Sequence, residues 1–211
     1  MDNRIIDLEK NIGVPPGFVE ALVNEDDWSF IIKLHALFEA ACTHLLLFHF
    51  NEPGIAIVIS RLELSDKAKG KLALLKGAEL LGNDDRAFIS KLSELRNSLV
   101  HDVTNTEYSL IGLVESFNSN QLTKFARTFS PFEARLLEIQ EGKGLITEEK
   151  GILDLRQNYD INTLKIRAKK NPKEYIWHGA QAVLASIVDN LAYSEYRNWQ
   201  KAKTVLFESE A

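Results

Sequence analysis

The chain has 211 residues, 45% of them apolar and 26% charged, with a formal net charge of −5. That is the profile of a folded domain long enough to bury its own core, and it excludes a broadly basic nucleic-acid binder. Cys42 is the single cysteine, which excludes an intrachain disulfide, and a reducing, cytoplasmic setting is expected.

Eleven glycines and five prolines are few for this length, and strand-like alternation is almost absent, so the expected class is all-α. The first residues lack a basic stretch followed by an apolar core, so no signal peptide is expected. Pro15-Pro16-Gly17 separates a short N-terminal helix from the main body. Asn24-Glu25-Asp26-Asp27 supplies capping carboxylates for the next helix, predicted from about Trp28 to Phe50. The apolar run Ile31–Phe50 carries Lys33, His35, Glu39, Thr43, His44 and His49. It therefore reads as a buried central helix, and no membrane span is expected.

Asn51-Glu52-Pro53-Gly54 ends that helix. Ile55–Leu64 fits a strand or a short helix, and the pattern leaves both open. Ser65-Asp66 predicts an N-cap, with a helix running to Leu81 and Gly82 as its stop. Asp84-Asp85 opens the next helix, from Asp84 to about His101. Phe88, Leu92, Leu95 and Leu99 mark its core stripe. Val103-Thr104-Asn105 predicts a turn, followed by helices near Glu107–Phe117, Gln121–Arg127 and Pro131–Gln140. Glu141-Gly142-Lys143-Gly144 is a break, and Thr147–Lys170 is charged with helical stretches. Pro172 suits a first helical position. A long helix to about Lys203 follows, with Ile176, Ala180, Val183, Ile187 and Leu191 on one face. Three segments result: an N-terminal helical segment over 1–27, a helical core over 28–140, and a C-terminal helical extension over 141–211 packed on the same domain.

The stripe fixes the directions of the other side chains on its helix. At about 100° per residue, Asn97 and His101 point together, away from the core. Arg96 lies on the flank, about 140° from His101 on an ideal helix, although a long arginine can swing toward it. Ile89 and Val100, near Arg96, form a second apolar strip expected to be covered by another subunit.

Arg96-Asn97-Ser98-Leu99-Val100-His101 resembles the R-x4-6-H motif of the HEPN superfamily. Leu37-Phe38-Glu39-Ala40-Ala41-Cys42-Thr43-His44-Leu45-Leu46 resembles the first core helix of that superfamily. Lys71-Leu72-Ala73-Leu74-Leu75 and Glu79-Leu80-Leu81-Gly82 precede the motif at a similar interval. The order is similar to that in the mannitol operon repressor-like group, and the better match covers about residues 28–117. The resemblance implies a HEPN-type helical bundle and a homodimer with a composite site. It also implies metal-independent endoribonuclease activity, as in a toxin or phage-defence protein. His101 would be the general base or the general acid, and Arg96 would hold the scissile phosphate. Asn97 would orient His101 or donate to the phosphate. RNA, and an antitoxin or regulatory protein, are the implied partners, and no metal or cofactor is implied. The alternative is a non-catalytic regulator resembling the mannitol operon repressor.

Three further sets of residues bear on the site. Glu39 on an apolar helix needs a cationic partner, for which Arg96 is a candidate that the pairing would preorganise. His35 and Glu39 have ligand-like spacing, but HExxH is absent and no second ligand cluster accompanies them, so no metal site is expected. Lys165, Arg167, Lys169, Lys170 and Lys173 are the densest basic cluster. They form either a solvated face or contacts to an RNA backbone. Tyr193, Tyr196 and Trp199 read as packing or interface residues. No Walker loop, dinucleotide fingerprint or Gly-x-Ser-x-Gly elbow is present.

Overall fold

A computed structural model describes the backbone of residues 3–100, 108–140 and 160–208, and side chains over 5–100, 108–139 and 160–200. Among the described residues there is no strand, and eleven α-helices make an all-α bundle. In chain order they are α1 (Asn3–Ile12), α2 (Phe18–Ala21), α3 (Asp27–Phe50), α4 (Ala56–Arg61), α5 (Lys71–Gly77) and α6 (Asn83–Val100). Then come α7 (Leu110–Glu115), α8 (Ser119–Thr128), α9 (Pro131–Gln140), α10 (Ile161–Lys170) and α11 (Pro172–Glu208).

Helix α3 is the centre. Its sequence is long and apolar enough to cross a membrane by length and composition. Here Phe30, Ile31, Leu34, Leu37, Phe38, Leu45 and Leu46 are all buried against neighbouring helices. Apolar residues on nearly every side leave no polar stripe, as expected of a helix enclosed by others. Asp26 opens α3 by accepting from the Ser29 amide at 2.9 Å. Asn51 closes it in the left-handed conformation, φ 53°, a role asparagine tolerates better than most residues.

Helix α6 runs antiparallel to α3. Phe88 packs its ring 5.5 Å from Phe38, and His35 meets Ser93. The stripe Phe88, Leu92, Leu95 and Leu99 is buried as the periodicity predicts. Helix α11 runs parallel to α3: Lys173 pairs with Asp27 near one end, and Arg197 reaches the His49 carbonyl near the other. One hydrophobic core therefore takes in Ile5 and Leu8 of α1, the centre of α3, and Ile176 through Val188 of α11. Gly179 permits the closest approach. A Cβ there would overlap the Phe129 carbonyl oxygen, so α11 can lie against the end of α8 only with a bare backbone.

Some expectations change. The open choice at Ile55–Leu64 resolves as the short helix α4. The helix predicted to begin at Ser65-Asp66 starts at Lys71 instead. Asp66 does cap, accepting from Ala68 and Lys69 at 2.9 Å, but it closes a tight turn. Gly70 ends that turn so closely that a Cβ would come 2.6 Å from the Asp66 carbonyl oxygen. Ile89 is fully buried within its own chain, so only Val100, 43% exposed, remains of the strip expected to need a second subunit.

Candidate functional site

The candidate site lies at the C-terminal turn of α6. With the Leu92–Leu95–Leu99 stripe buried, Arg96 is left half-buried on the flank and Asn97 is exposed. Arg96 folds across the helix surface and donates from Nη1 to the Asn97 Oδ1 at 3.1 Å. His101 lies outside the described residues.

Behind Arg96 are two polar pairs between α3, α5 and α6. Ser93 donates its hydroxyl proton to the Ile89 carbonyl at 3.0 Å, so its oxygen is free to accept from His35 Nε2, 3.2 Å away. An Nε2–H tautomer of His35 lets both bonds form at once. Burial, then the neighbouring positive charge of Arg96, holds the His35 imidazole below the usual range, with Glu39 opposing and Lys71 reinforcing. His35 is thus a neutral, satisfied interior histidine.

Glu39 takes a different cation from the expected Arg96. Its carboxylate accepts from the Lys71 ammonium at 2.9 Å, and the Lys71 side chain is only 1% exposed. The tight turn ending at Gly70 delivers Lys71 inward at the first position of α5. The arginine is consequently left without a carboxylate partner among the described residues, and its single hydrogen-bond partner there is a neutral amide. A planar guanidinium next to an amide, both reachable from solvent, is suited to grip two oxygens of a phosphate. Neither group moves a proton near neutral pH, so acid–base chemistry would have to come from elsewhere. Lys71 escaped the sequence reading because it opens an apolar run. The signal was Glu39 itself, an acid on an apolar helix that demands a buried cation.

The described residues bring together no group of three or more His, Cys, Asp or Glu side chains able to hold a metal. The Cys42 thiol is buried, and desolvation pushes it up to about 12, so it is inert as a nucleophile.

The basic cluster divides. Lys165 donates to Ser119 Oγ at 3.0 Å. Arg167 pairs with Glu133 and lies over the Tyr175 ring, 5.8 Å from its centroid. Lys173 pairs with Asp27 at 2.9 Å and donates to the Glu25 carbonyl at 2.6 Å. These three staple α10 and α11 to other elements. Lys169 and Lys170 have no side-chain partner among the described residues, so the cluster is not five equivalent free cations. Beside Lys170, a cavity of about 300 Å³ is also lined by His178, which the sequence reading passed over. Tyr193, Tyr196 and Trp199 do not pack in the core: each is more than half exposed, and Tyr196 stacks on Trp199 at 6.3 Å.

No family profile matches this chain, and neither curated proteins nor solved structures give a significant match.

Proposed function

We propose that the chain handles RNA phosphodiesters as a dimeric, metal-independent endoribonuclease of the HEPN kind, acting as a toxin or in phage defence. One observation carries this reading: Arg96 stands at the surface beside Asn97, while the nearby acid Glu39 is occupied by Lys71. A structural arginine at a helix end would be expected to close on such an acid.

In the reaction, a ribose 2′-oxygen attacks the adjacent phosphorus and the bond to the 5′-oxygen breaks. The products are a 2′,3′-cyclic phosphate and a 5′-hydroxyl. Arg96 would offset the charge that develops on the phosphoryl oxygens. His101, five positions on in the sequence, would take the 2′-hydroxyl proton or give one to the leaving oxygen; an imidazole titrates in the right range for either. The exposed Val100 between them is the apolar contact offered to a second subunit.

The test is incubation of the purified chain with a defined RNA in EDTA, alongside Arg96→Ala and His101→Ala. Cleavage that survives chelation, leaves cyclic phosphate ends and falls about a hundredfold or more in each variant is expected. Intact RNA, or equal cleavage by Arg96→Ala, overturns the reading and leaves the regulator resembling the mannitol operon repressor. Light scattering should give twice 23.9 kDa, and a monomer would remove the composite site.

A further inference from the structure

A second cleft lies away from Arg96, where α1, α3 and α11 meet. Its volume is about 190 Å³. Helical spacing builds it: Asp7 and Asn11 are i, i+4 on α1, His44 and Phe48 are i, i+4 on α3, and Leu191 and Glu195 are i, i+4 on α11. Leu8, Val188 and Leu191 make an apolar floor. The His44 and Phe48 rings are 5.8 Å apart and tilted by 43°, forming one aromatic wall. Asp7 and Glu195 are both exposed at the rim.

None of the side chains of Asp7, Asn11, His44 or Glu195 has a hydrogen-bond or ion-pair partner among the described residues. Burial lowers the His44 imidazole below its usual range, so it adds no positive charge. Among the described residues, no lysine or arginine lines the cleft. The described lining is therefore apolar and aromatic within, with two carboxylates at the mouth that have no partner among the described residues.

We propose that this cleft binds a small organic ammonium ion with an aromatic or branched apolar body. The apolar floor takes the body, the carboxylates of Asp7 and Glu195 hold the ammonium, and the aromatic wall adds attraction to the cation at its face. The volume is below the roughly 300–1,000 Å³ of clefts for drug-sized ligands, so the body is a single ring or its equivalent. The proposal is independent of the ribonuclease reading, since it uses no residue of that site.

Calorimetric titration of the full chain with 2-phenylethylamine at low salt tests it, with 2-phenylethanol as the uncharged analogue. Saturable one-site binding of the amine is expected, with the alcohol at least about tenfold weaker. Asp7→Asn combined with Glu195→Gln should weaken the amine about tenfold and leave the alcohol unchanged. Ala192→Phe, which fills the cleft from α11 and leaves both carboxylates in place, should abolish binding of both. Equal affinity for amine and alcohol, amine binding unaffected by the double substitution or by Ala192→Phe, or no saturable binding up to roughly 10 mM overturns the proposal.

Discussion

Glu39→Ala should destabilise the protein far more than Lys71→Met, although the lysine is the more buried partner. Removing Glu39 leaves the Lys71 ammonium, 1% exposed, without its acceptor at 2.9 Å. Breaking a fully buried pair from one side costs about 3–5 kcal/mol, whereas an exposed pair is worth about 0–1 kcal/mol. Here the anion is 42% exposed, so water already screens it and can follow into the vacated space. An intermediate loss of about 2 kcal/mol results. For a chain of this length that lowers Tm by roughly 4–8 °C. Lys71→Met removes the charge and keeps an unbranched stem of similar reach, so stability should stay within about 1 kcal/mol of the parent. The double variant should recover most of what Glu39→Ala loses. Urea melts of the four proteins give the cycle directly. A Glu39→Ala loss under about 0.5 kcal/mol, or a double variant no better than Glu39→Ala, would refute the reasoning.

Leu95→Ala should cost roughly 2–5 kcal/mol, since Leu95 is 7% exposed in the α6 stripe, while Asn97→Ala on the same helix stays within about 0.5 kcal/mol by denaturant melts. Gly179→Ala should destabilise by about 1–3 kcal/mol, because the new methyl meets the Phe129 carbonyl. That reverses the usual gain of about 1 kcal/mol for replacing glycine within a helix, so a stabilised variant would refute the close approach. Burial raises the Asp85 carboxyl above its usual 3.8, partly opposed by the hydrogen bond from Ser186. A raised carboxyl favours the folded state fully below the unfolded value and loses that benefit as pH rises through the folded one. Asp85→Asn should therefore be more stable than the parent at pH 7, and the gap should close toward pH 4. A gap that widens on acidification would contradict this sign.

The helices were legible in the sequence because burial recurs with the helical period: Phe88, Leu92, Leu95 and Leu99 announce α6, and Ile176, Ala180, Val183 and Ile187 announce α11. The start of α5 was not. Ser65-Asp66 has true capping chemistry, but the five residues to Gly70 make a turn whose tightness depends on packing against Glu63 and Asp66. Within the candidate site, Asn97 was correctly turned outward by the stripe. Its bond from Arg96 was not legible, because a long flexible stem can fold across a helix surface in a way that an ideal helical wheel does not show; the expected pairing with His101 lies outside the described residues. The basic run was legible only as charge. Its partners Ser119 and Glu133 lie 46 and 34 residues away, and no local pattern points to them.

The cap on α3 has a consequence for how the chain acquires its structure. The last turn of the central helix leaves carbonyls that its own backbone cannot satisfy. Arg197 takes that of His49 at 2.9 Å, and Asn198 takes that of Phe48 at 2.8 Å, across 148 and 150 residues of sequence. During synthesis, α3 emerges long before the residues that finish it. The carbonyls of His49 and Phe48 should stay without these partners until α11 docks, since closure of so long a loop is expected late in folding. A nascent chain stalled before Arg197 should therefore hold a core whose central helix is open at one end. The exposed Phe48 and Phe50 there would be the surface first available to a chaperone or to misassembly.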